Sequence, residues 1–283
     1  MALWRSLATI LVISLFAPPA KTLALVSGLA QRSQIQELDN LKLKTEGPNC
    51  WNAALMSAGL ARSIRFVSKG EYWFWMQSKY CRALSEHDTL QSGDLGSLTW
   101  SGHGHYHSFV FDKKDKVFSK TSPSPKFPYR LQTFEEMFSS PNKAWIKNCL
   151  PLKPSGTNKG CAVGIAFHRC LPIENNFFES SSDLASWDLK LKNIEQFIAL
   201  WAIGSEIATI DQYEKTIYQL YRILRQIQEK KSAAKDQLIK FKYQAIEYRT
   251  LGLILSDVEG AKKAPRVYPY LNYAYQVQDK HKK

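Results

Sequence analysis

Cys50 stands in the run Gly47-Pro48-Asn49-Cys50-Trp51-Asn52, ahead of the helix-compatible stretch Ala53-Ala54-Leu55-Met56-Ser57-Ala58-Gly59-Leu60. Gly-Pro reads as a turn entering a helix, because proline cannot continue a hydrogen-bond ladder and fixes φ. A thiolate at a helix start gains from unpaired backbone N–H groups and from the positive end of the helix dipole. It also needs a base that takes the thiol proton and returns it to the leaving group. His107 is the candidate base, since it opens the strand-like run His107-Ser108-Phe109-Val110-Phe111. This is the chemistry of a cysteine hydrolase. Sulfur attacks a carbonyl carbon, the imidazole shuttles the proton, and the Cys50 N–H helps to hold the oxyanion. Trp51 could wall the cleft or pack in the core.

Two plainer roles compete for Cys50, a small buried apolar residue or half of a disulfide. The chain has five cysteines, Cys50, Cys81, Cys149, Cys161 and Cys170. An odd count in an exported protein leaves one thiol free or pairing between chains. With Cys50 free, the other four can pair in three ways. The nearest-neighbour scheme joins Cys161 to Cys170 and Cys81 to Cys149, but the sequence leaves the connectivity open.

His103, His105 and His107 offer a different chemistry. Alternate strand residues face one side, so three imidazoles could meet one zinc ion. Gly102 and Gly104 suggest instead a turn leading into the strand. His103 and His105 are therefore expected to face solvent or be otherwise satisfied, with no metal and no cofactor required. His87 and His168 read as structural or surface residues.

Elements must hold these residues in place. Residues 25–46 are polar and helix-compatible, a leading helix or arm. Glu71-Tyr72-Trp73-Phe74-Trp75-Met76 fits a helix or a strand and reads mainly as core. Gly93-Asp94-Leu95 turns into a strand, and His107–Asp112 with Lys116–Lys120 forms a hairpin through a charged turn. Pro123, Pro125 and Pro128 break regular structure before a short helix at Thr133–Phe138. Residues 149–182, rich in Gly, Pro, Asn and Ser, read as a connector holding three cysteines.

From 183 to 261 apolar residues recur at three- and four-residue steps, Ile207 to Ile227 and Leu238 to Val258. Gly204-Ser205 and Lys230–Ser232 are expected breaks. Two or three helices folded as a hairpin or bundle would bury these stripes. Residues 262–283 form a basic, tyrosine-rich tail.

Arg5, the apolar run Leu7–Phe16, then Pro18, Pro19 and small residues make a secretory signal peptide, residues 1–24 at most, with cleavage after Ala20 or Ala24. The run is shorter than the about 20 residues a span needs, and no later segment is apolar enough to cross a bilayer. The expected location is secreted or periplasmic, where disulfides persist. Apolar residues at 45% and aromatics at 12% suffice for a core and exclude general disorder. The net charge of +13 favours anionic surfaces, which outside the cytosol means envelope polymers or anionic lipid. No nucleic-acid recognition motif accompanies that charge.

A cysteine at a helix start, a Gly-Asp-Leu turn at 93–95 and a histidine opening a strand resemble the papain-like NlpC superfamily of cysteine hydrolases. The related cysteine- and histidine-dependent amidohydrolases share the pattern. The resemblance covers residues 45–140, about a third of the chain. It implies an α+β fold, with the nucleophile helix packed on a small antiparallel sheet. This catalytic domain, with its arm, would span 25–148, followed by the 149–182 connector and the 183–261 helical module. It also implies a third residue that orients the histidine. Ser119 falls there, where the family more often has His, Asn or Gln, and a hydroxyl can accept from an imidazole N–H. The implied activity is amide hydrolysis in peptidoglycan peptides. Two alternatives stay open. One is a non-catalytic adaptor of the envelope, whose helical module docks a protein partner. The weaker one is a zinc hydrolase using His103, His105 and His107.

Overall fold

The structure, a computed structural model, describes residues 49–100, 104–120, 129–138, 147–154, 161, 163–202, 209–256 and 258–280. The expected signal peptide and leading arm, His103, the proline run and Gly204-Ser205 lie outside the described residues. The chain is α+β. Six antiparallel strands, β1 (Cys81–Ala83), β2 (Leu95–Trp100), β3 (Gly104–Lys113), β4 (Lys116–Ser119), β5 (Arg130–Thr133) and β6 (Val163–Cys170), form one sheet in the order β1-β6-β2-β3-β4-β5. The segment expected to be a connector thus supplies β6, a strand between β1 and β2. Its Val163, Ile165 and Phe167 alternate into a buried layer, a period of two hidden among flanking Gly, Pro and Asn.

α1 (Cys50–Ser57) and α2 (Lys69–Met76) cover one face of the sheet. Glu71–Met76 is therefore helical. Ser68 caps α2 by accepting from the Glu71 N–H. Ala53 and Ala54 are fully buried against this face, and their small side chains let α1 lie close on β3. The other face carries Leu98, Phe109, Phe111, Val117 and Phe167, with α3 (Phe134–Met137) over it. Gly96 on β2 pairs with Phe109, and a Cβ there would sit 2.2 Å from that ring, so only glycine allows the approach.

Five helices follow: α4 (Ser182–Ala202), α5 (Ile210–Ala233), α6 (Gln237–Ile254), α7 (Val258–Lys263) and α8 (Tyr268–Lys280). Thr209 and Gln212 form a capping box on α5, and Asp236 caps α6, so the break comes just after the expected Lys230–Ser232. The tyrosine-rich tail is helical in α8. None of the described helices is long and apolar enough to cross a membrane.

α6 joins the helices to the sheet half. Tyr243, Ile246, Leu253 and Ile254 pack into the helical core. Phe241 stacks on Phe74 at 4.8 Å and on Tyr80 at 6.0 Å, and Tyr248 stacks on Phe74 at 5.1 Å. Buried charges cross the same junction. Arg65 is paired to Glu71 and lies 3.1 Å from Glu195, while Arg249 meets Glu195 at 2.6 Å and also pairs with Asp188. Removing one member of such a network strands a buried charge, at a cost of about 3–5 kcal/mol. The helices keep a buried core of their own, and α6 carries the aromatic and ionic contacts from it to the sheet half.

Candidate active site

Cys50 is the first residue of α1, and Asn49 sets its position. The Asn49 carboxamide oxygen accepts from the Asn52 N–H at 3.1 Å and the Val67 N–H at 3.3 Å, while its amide donates to Val67 O at 2.8 Å. One side chain thus caps the helix and ties its start to the 63–67 loop.

Cys50 is a free thiol, and the other four cysteines are bridged as Cys81–Cys170 and Cys149–Cys161. The nearest-neighbour connectivity is replaced because β1 pairs with β6, which sets Cys81 directly opposite Cys170. Cys50 is only 8% exposed. Burial pushes its pKa above the ordinary thiol value. The Ser108 backbone and hydroxyl, and the N–H groups of Trp51 and Cys50, act in the opposite direction. Ser108 on β3 is thus the neighbour that meets the sulfur.

Around them lies a buried polar seam. Ser108 pairs in register with Ser97, whose hydroxyl is 2.7 Å from the Tyr72 hydroxyl. The Tyr129 O–H donates to Asn52 Oδ1 at 2.6 Å, and the Asn52 amide donates to Ser63 O at 3.0 Å. Burial raises the pKa of Tyr72 and of Tyr129, so both stay protonated hydrogen-bonding groups at neutral pH.

His107 is not brought to this seam. Its Nε2 lies 3.2 Å from Met137 Sδ, in the layer with Leu98 and Phe109. Burial pushes its pKa down to about 4, which keeps the ring neutral at neutral pH. The physical reason is a bulge. β2 pairs Leu98 with His107 but Thr99 with His105, so β3 carries one extra residue at this point. Directly paired residues share a face. Leu98 and His107 belong to the Phe109 face, whereas Thr99 falls with Ser97 on the Cys50 face. Thr99 therefore brings the register position of His105 to the Cys50 face. That position is the next same-face pair beyond Ser97–Ser108, about 7 Å along the strand.

By this register Cys50 and His107 stand on opposite faces of the sheet, which separates the thiol from the base expected for it. Among the described residues no three His, Cys, Asp or Glu side chains cluster as a metal site would need. Ser119 is fully buried and accepts from Gln132 Nε2 at 3.0 Å. It alternates with Val117 on the Phe109 face, away from Cys50. Of Cys50, His107 and Ser119, the catalytic residues expected from sequence, Cys50 is the one in the seam. Of the plain histidines, His87 is exposed, and His168 is buried with its ring edge-on to Trp73 at 6.1 Å.

Sequence reasoning missed Ser108, Ser97, Tyr72, Tyr129 and the fully buried Lys120, whose ammonium lies 5.9 Å from the Tyr129 ring centre. Ser108 could have been found by alternation back from Val110, which packs against α1. Comparison of the chain with protein-family models, with curated proteins and with solved structures finds no match. The arrangement can offer a thiol at a helix start and backbone donors beside it, with the register position of His105 one pair further along the same face.

Proposed function

We propose that this chain is an exported cysteine hydrolase that cleaves amide bonds, with Cys50 as nucleophile and His105 as base. One observation carries the reading: the register pair Thr99–His105 shares a face with a free thiol at the start of α1. In this mechanism His105 takes the Cys50 proton as sulfur attacks the amide carbonyl carbon. Backbone N–H groups at the start of α1 hold the oxyanion. The imidazolium then protonates the departing amine, and water, deprotonated by the same imidazole, hydrolyses the thioester. The papain-like, NlpC-type order of helix cysteine followed by strand histidine supports peptide amides of the cell wall as substrates. Two disulfides accord with an oxidising compartment outside the cytosol.

A second reading, a non-catalytic envelope binding protein on the same scaffold, is favoured by the burial that raises the thiol pKa. One experiment separates the two. Purified peptidoglycan stem peptides are incubated with wild type, Cys50→Ala, His105→Ala and His107→Ala, and new amines and fragment masses are followed. Cleavage by wild type and His107→Ala, lost in Cys50→Ala and His105→Ala, is the expected pattern. No cleavage by the wild type favours the binding protein, and cleavage that depends on His107 removes His105 from its role.

A further inference from the structure

A groove of about 370 Å³ between α4 and α5 is lined by Lys190, Tyr218, Gln219, Arg222, Ile223 and Gln226. It has the volume of a small-ligand site. Its lining includes two cations and no carboxylate, and among the described residues neither Lys190 nor Arg222 forms an ion pair. Tyr218 is 47% exposed and links the groove to a tyrosine patch on α5 and α8. Tyr218 and Tyr270 are 5.5 Å apart, Tyr221 and Tyr270 5.0 Å, and Tyr221 and Tyr273 5.3 Å, with the Arg225 guanidinium 5.6 Å from the Tyr273 ring centre. An amphipathic ring rests its apolar face on a partner while its hydroxyl keeps a polar one.

We infer that this face binds an acidic glycan, a strand of sugar rings bearing carboxylates. The C–H faces of sugars rest on tyrosine rings, and their hydroxyls suit the Gln219 and Gln226 amides. Arg222 offers the planar fork that matches a carboxylate, and Lys190 adds a second cation. The rings are inclined to one another by 54°, 39° and 82°, a corrugated surface and not the parallel platforms on which consecutive bases stack. The net charge of +13 draws in any polyanion, so the tyrosines must supply the preference for sugar. This inference stands apart from the thiol chemistry, and a chain unable to cleave should bind equally well.

Calorimetric titration of the full Cys50→Ala chain tests it, with an oligogalacturonate hexamer as probe. Neutral chitohexaose, oligothymidylate and polyglutamate serve as competing ligands. The hexamer is expected to bind at one site. Tyr218→Ala, Arg222→Gln and Lys190→Gln should each weaken it by about tenfold, as central contacts do. Lys240→Gln, on α6 and outside the groove, should leave binding unchanged. All four side chains are exposed, so thermal unfolding should match the parent. Absence of hexamer binding, or an unaltered affinity in Tyr218→Ala, overturns the inference. So does equally tight binding of chitohexaose, oligothymidylate or polyglutamate.

Discussion

The two faces of β3 are built from neighbouring residues and do different work. One face presents Ser108 to the Cys50 sulfur, with Ser97, Tyr72, Asn52 and Tyr129 forming a hydrogen-bonded seam under α1 and α2. The other presents His107 to Met137 among Phe109, Phe134 and Phe167, an apolar layer with Phe109 edge-on to Phe134 at 5.6 Å. A single extra residue decides which histidine belongs to which face. Counted without the bulge, the register positions of His105 and His107 share a side; counted with it, they fall on opposite sides. Chemistry assigned from strand alternation is only as good as the register.

The Cys50 face is also the one backed by the helices, through Arg65, Glu71, Glu195 and Arg249. The largest expected effect therefore comes from Arg249→Met, which leaves Glu195 and Asp188 without this partner. Denaturant unfolding should show a loss of about 3–5 kcal/mol in one cooperative transition. Two separated transitions would mean that the helices and the sheet fold independently.

Within the seam, Tyr72→Phe removes the hydroxyl beside Ser97 and leaves that buried serine short of a partner. A loss of about 1–3 kcal/mol is expected by the same measurement. An unchanged stability would show that the seam tolerates the gap and that the two faces differ less than their hydrogen bonds suggest.

The other face should announce itself through pH. His107 has a folded-state pKa near 4, below its ordinary 6.5, because burial disfavours the charged ring. Between these values the unfolded chain binds more protons than the folded one. The contribution is full above pH 6.5 and is lost as pH falls towards 4. The ring is half-buried, which reduces the effect to about 1–2 kcal/mol. His107→Gln should flatten this part of the stability profile, and a profile of the same slope in the variant would remove the ring from the buried layer.

The β3–β4 turn belongs to neither face and gives the smallest effect. Lys114 has φ of 51°, in the left-handed region. Lys114→Gly should therefore raise stability by about 0.5–1 kcal/mol, with both faces untouched. A loss would point to a side-chain contact in the turn.

Much of this was legible in the sequence where the cause is local. The odd cysteine count pointed to a free Cys50, the Gly-Pro-Asn run to the start of α1, and the three- and four-residue steps to α5 and α6. The hairpin of β3 and β4 followed from two apolar runs around a charged turn. What failed was non-local. The bulge exists through the pairing of β3 with Leu98 and Thr99, and a strand read alone carries no sign of it. The Cys81–Cys170 bridge followed the pairing of β1 with β6 and not nearness in sequence, which left Cys149 to close a short loop with Cys161. β6 looked like a connector because its alternation is short and its flanks are rich in turn residues, although two strands enclose it.

The most direct test is the rate at which iodoacetamide alkylates Cys50, measured against pH in wild type, His105→Ala and His107→Ala. A histidine that shares the Cys50 face sets how readily the thiolate forms, and one across the sheet does not. The expected result is a profile altered by His105→Ala and unchanged by His107→Ala. A profile that responds to His107→Ala and ignores His105→Ala would contradict the division of the two faces.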